Sequence, residues 1–137
     1  MASVTDLIPE SMLSIRATLV AKGMTGAAAD EAVTLYGQFL DLCASHPQET
    51  ICPTHAADEA WHAHLDMGAY EADCLRMFGQ IAAHDATAFG TLEFRSAWAF
   101  TRSAHYERFG VTLENDPDAK GVSAFASASC FRPPLAA

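Results

Sequence analysis

The sequence predicts an all-α fold, a compact bundle of about five helices with an irregular C-terminal tail. Three observations predict it. Apolar residues recur three and four apart rather than alternating, alanine-rich stretches favour helix, and no convincing strand pattern interrupts them. A chain of 137 residues, half of them hydrophobic, holds one ordinary domain with a real core and leaves no room for a second. We assign that domain to residues 1–113 and read residues 114–137 as an extended or partly disordered tail, rich in Asp, Ser, Gly and Pro.

A first helix is expected over Ile8 to Lys22. Pro9 and Glu10 suit its first turn, Met12, Leu13, Ile15, Leu19 and Val20 are its apolar residues, and Gly23 ends it. A second starts near Thr25 and carries Ala32, Val33, Leu35, Tyr36, Phe39, Leu40, Leu42 and Cys43 until Ser45-His46-Pro47 stops it. Thr54 caps a third entering at His55, where Asp58 and Glu59 favour the positive end of the helix dipole. That helix contains Trp61-His-Ala-His-Leu65, and Gly68 bends or ends it. A fourth runs from about Ala69 to Gly79, followed by a turn carrying Ile81 and His84. Thr91 caps a fifth through Phe109, with Phe94, Trp98, Phe100 and Tyr106 as aromatic bulk and Gly110 as terminator.

Eight basic against seventeen acidic residues give a net charge of −9, which repels phosphate backbones and anionic membranes. Nucleic acid and membrane are therefore excluded as expected partners, leaving a small molecule or a protein. The start MASVTDLIPESM lacks the basic and continuously apolar regions of a signal peptide, so a cytoplasmic location is expected. There the four cysteines, Cys43, Cys52, Cys74 and Cys130, would stay reduced and serve as buried thiols or ligands.

The window from Cys52 to His84 concentrates the ligand-type side chains. Asp58 and His62 stand four apart and share a helix face, where a carboxylate either ligates a metal or orients the imidazole. His64 lies about 200° round the helix from His62, so one ion reaches both only if the helix unwinds near Gly68. An antiparallel helix pair would bring His62, Cys74 and His84 together. Imidazole and thiolate suit zinc, with iron or copper as alternatives. The metal set is thus His62, Cys74 and His84, with His64 or Asp58 fourth. The opposed reading is that His62 and His64 pack beside Trp61 and Cys74 is a small buried hydrophobe.

Other chemistry has less support. Placement of Cys74 mid-helix beside Asp73 opposes thiolate formation, and Asp66, Glu71 and Asp73 read as a solvated face. No GxxxxGK[ST], GxGxxG or GxSxG occurs.

Asp58-Glu-Ala-Trp-His-Ala-His-Leu65, then Tyr70, Asp73-Cys74, Phe78-Gly79 and His84, resembles the glycine-rich domain-containing protein-like family in its short stand-alone bacterial-type members. Tyr106-Glu-Arg-Phe-Gly110 resembles a later element of that family, so the likeness covers about Ala56 to Gly110. The matching positions are Asp58, Trp61, His62, Tyr70, Cys74, Gly79 and His84; at His64 the family pattern also accepts an aromatic residue. The family is defined by sequence and implies no reaction, and the glycine-rich segment that names it is absent here.

Two functions are therefore expected. One is a helical protein holding one transition metal, zinc first, through the His/Cys set: with an open fourth position a metal-dependent hydrolase or lyase, with a closed one a structural site. The other is a metal-free protein interaction module offering an aromatic groove near Phe94 and Trp98, with the WH…Y…C…G…H series as a packing signature. A third route is a cysteine-dependent enzyme using Cys74 or Cys130.

Overall fold

The computed structural model describes residues 3–85, 92–113 and 130–132. It is all-α, with five helices: α1 (Pro9–Ala21), α2 (Gly26–Ser45), α3 (His55–Leu65), α4 (Tyr70–Phe78) and α5 (Leu92–Phe109). A 3-10 turn, Val4–Leu7, precedes them. Two three-residue strands, β1 (Ala83–Asp85) and β2 (Cys130–Arg132), pair antiparallel, with His84 opposite Phe131 and Asp85 opposite Cys130. The sequence reading contained no strand. Three residues are too short to carry a period-two pattern, so this ribbon depends on tertiary pairing and leaves no local signature.

Helix ends follow side-chain chemistry. The Thr25 hydroxyl accepts from the Ala28 amide at 3.1 Å and the Thr54 hydroxyl from the Ala57 amide at 3.2 Å, so each satisfies a backbone donor that its helix leaves open. Gly79 ends α4 at φ +74°, a left-handed conformation that a Cβ would strain. α3 stops at Leu65, before Gly68, because Asp66 already leaves the helix as its C-cap. The Thr91 cap lies outside the described residues, as do residues 114–129 and 133–137 of the expected tail.

α1, α2 and α3 pack on one another, and their shared core holds Ile15, Leu19, Tyr36, Leu40, Cys43, Ala60 and Trp61. α4 adds Tyr70, Cys74 and Met77 to it, while α5 lies on α2 over a separate cluster of Cys52, Ala97, Trp98 and Leu113. Two expected core residues of α1 face outward instead: Leu13 is 71% exposed and Val20 41%. The buried stripe is Ile8, Ser11, Ile15 and Leu19, a three-then-four spacing that leaves Leu13 on another face. Tyr106 is likewise exposed rather than core. Cys43 and Cys74 are free thiols, but Cys52 is disulfide-bonded, which corrects the expectation that all four cysteines are reduced. None of the described helices is long and apolar enough to cross a membrane.

Candidate functional site

The two histidines of the Trp-His-Ala-His segment go opposite ways. His62 is half-exposed on the outside of α3, its Nε2 3.1 Å from Asp58 Oδ2. His64 is fully buried, because a 200° separation that sends one residue to solvent turns the other into the core. There both its ring nitrogens are engaged: Nδ1 lies 2.7 Å from Tyr36 Oη and Nε2 2.8 Å from Asp73 Oδ2. The same carboxylate oxygen accepts from the Ser11 hydroxyl at 2.6 Å. One buried chain thus runs Tyr36, His64, Asp73, Ser11 and joins α2, α3, α4 and α1.

Proton positions along it follow from the donor inventory. Burial holds the Tyr36 hydroxyl well above its ordinary value, so it stays protonated, and its one described acceptor is His64 Nδ1. Nδ1 is then a bare acceptor, Nε2–H donates to Asp73, and the ring is neutral. Burial also lowers the His64 pKa from its usual 6.5, against the opposing pull of Asp73, which agrees with a neutral ring.

A second buried chain sits beside it. Trp61 Nε1–H donates to Tyr70 Oη at 3.1 Å, and the Tyr70 hydroxyl donates to the Ala82 carbonyl at 2.9 Å, tying α3 and α4 to the segment that enters β1. Tyr70 also meets the His64 ring edge-on at 4.9 Å between centroids. Cys74 is fully buried; burial raises its thiol pKa, partly offset by hydrogen bonds from the Ala82 backbone and Tyr70. Such a thiol is an inert core group and not a nucleophile.

Of the expected metal set, the described side chains of Asp58, His62, His64 and Cys74 form no common group. His64 has no lone pair to give, since Nδ1 accepts from Tyr36 and Nε2 carries the proton that Asp73 receives. Cys74 is protonated and inside, whereas half-exposed His62 pairs with Asp58, which is itself buried. The His84 backbone belongs to β1, and its side chain lies outside the described residues. Among the described residues no group of three or more His, Cys, Asp or Glu side chains is placed to hold a metal ion. Trp98 is buried, so the aromatic groove expected there is not open; the Phe94 side chain and the tail fall outside the described residues.

Comparison of the chain with family models, with curated proteins and with solved structures finds no match.

Reading the sequence missed Asp73, Ser11 and the pairing of Tyr36. The signal was present in the stripes. Asp73 stands between Tyr70, Cys74 and Met77 at spacings of three and four, and Ser11 between Ile8, Ile15 and Leu19, so each is a polar residue in an apolar register. A polar group at such a position needs a buried partner, and here each is the other's.

An open surface groove lies beside the core. Between the 3-10 turn, α1 and α2 lies a groove of about 610 Å³, with Met12, Leu13 and Val33 as apolar residues and Asp6, Asp41 and Arg16 among its polar ones. Arg16 is already paired with Asp30.

Proposed function

We propose that the chain is a metal-free protein interaction module in which the WH…Y…C…G series fixes the helix junction and the groove between α1 and α2 receives a basic amphipathic helix of a partner protein. The observation that carries the reading is Leu13, 71% exposed at the edge of that groove. A large apolar side chain held in water beside partly buried Met12 and Val33 gains on being covered. Charge selects the occupant: exposed Asp6 stands at the groove, its one arginine is spent on Asp30, and the chain has a net charge of −9. The test is fluorescence anisotropy with a labelled leucine/lysine amphipathic peptide. Saturable, salt-weakened binding that falls about tenfold or more in Leu13→Glu is expected, since one central apolar anchor carries that much. Equal binding by Leu13→Glu, or by a leucine/glutamate peptide, overturns it.

A second reading keeps a metal on the outer face of α3. It is favoured by the Asp58–His62 pair at 3.1 Å, two ligand groups preset by an i, i+4 spacing, with His84 as the third ligand the sequence suggests. Zinc titration followed through the His62 ring protons is expected to give one saturating shift that His62→Ala removes. Absent uptake, or uptake unchanged in that variant, eliminates it.

A further inference from the structure

Asp73 is only 5% exposed, yet it lines a second cavity, of about 410 Å³, on the side of α1 away from the groove. Ser11 shares that wall, Ile8, Pro9, Ala69 and Ala72 supply its apolar part, and Glu10 and Arg76 are its other charged residues. The two hydrogen bonds that Asp73 accepts come from a serine hydroxyl and a neutral imidazole, neither of which carries charge. Among the described residues no lysine or arginine pairs with it. A carboxylate taken out of water without a counter-ion is costly, and proteins keep such a group paired or hydrogen-bonded toward something that completes it. Here the carboxylate belongs to a residue that lines a cavity.

We infer that this cavity is a binding site for a small primary alkylammonium ligand, its ammonium on Asp73 and the Ser11 hydroxyl, its alkyl chain against Ile8, Pro9, Ala69 and Ala72. An ammonium is preferred to a metal ion because one carboxylate and one hydroxyl are too few oxygens for calcium or magnesium, and there is no imidazole or thiolate free for zinc. It is preferred to a quaternary cation because a carboxylate and a hydroxyl oxygen reward N–H donors, while an aromatic cage, which quaternary groups favour, is missing from the lining. Exposed Glu10 and Arg76 stand at the same cavity with opposite charges, so they offset each other and leave Asp73 to set the preference for a monocation. His64 and Tyr36 act behind the carboxylate as positioning residues, fixing its orientation from the core side.

The test uses n-butylammonium as probe and backbone amide NMR of the full chain as readout. Saturating shifts at Ser11, Ala72 and Asp73 are expected in the range of tens of millimolar, as suits so few ligand atoms. Asp73→Asn should weaken binding at least tenfold. Because that change also touches the core network, Ala72→Phe is the second variant: Ala72 is exposed on α4, so the added ring blocks the cavity and leaves the buried bonds intact. It too should weaken binding at least tenfold. The inference is overturned if the native protein shows no saturable shift, if tetramethylammonium matches butylammonium, or if Ala72→Phe binds like the native protein.

Discussion

His64→Ala is expected to destabilise the fold by about 3–5 kcal/mol, whereas His62→Ala, two residues away, should change it by about 1 kcal/mol or less. The contrast follows from where the helix turns each ring. His62 is half-exposed, so its removal leaves no core cavity, and water reaches the side of Asp58 from which the ring has gone. His64 is enclosed between Tyr36 and Tyr70, and its removal leaves a cavity together with two buried groups robbed of their partner, the Tyr36 hydroxyl and one side of the Asp73 carboxylate. Denaturant midpoints measure the difference; near-equal midpoints for the two variants would show that the buried chain is not what holds the junction.

The same residue gives the protein a pH signature of known sign. Burial lowers the folded pKa of His64 below its unfolded 6.5, so between those two values the unfolded chain binds more protons than the folded one. Stability is therefore complete above pH 6.5 and declines as pH falls through the lower, folded pKa. In His64→Ala that component should vanish, leaving a flatter profile over the same interval. A native profile no steeper there than the variant's would mean that burial does not lower the folded pKa of the ring, and the support this gives to a neutral His64 would fall with it.

Much of the fold is written locally. The caps at Thr25 and Thr54, the stops at Gly23, Gly79 and Gly110 and the three-and-four stripes place the helices to within a residue or two, because each is a short-range effect of backbone donors and side-chain volume. The opposed faces of His62 and His64 are equally local, a matter of helical angle. What is not local was misread. Asp73 looks like one more acid on a helix until α1 places Ser11 against it and α3 places His64, and those contacts span 62 and 9 residues of chain. The β1–β2 ribbon and the Cys52 disulfide are of the same kind, products of packing. Ligand-type residues close in sequence share a site only if their helix faces agree, and here His62 faces out while His64 and Cys74 face in.

Trp61→Ala should cost about 3–5 kcal/mol, and Trp61→Phe only about 1 kcal/mol. The indole is among the largest fully buried side chains, packed 5.0 Å from the Phe39 ring, so alanine leaves a void that α2 and α3 cannot close without moving. Phenylalanine retains most of that volume and removes the bond from Nε1 to Tyr70 Oη. Tyr70 is left with its own bond to the Ala82 carbonyl, so the path to β1 persists in Trp61→Phe and is loosened in Trp61→Ala. Amide hydrogen exchange over residues 83–85 reads this directly: much faster exchange in Trp61→Ala and near-native exchange in Trp61→Phe are expected. If both variants exchange alike, the Trp61–Tyr70–Ala82 chain does not anchor the ribbon, and the tryptophan acts through core volume alone.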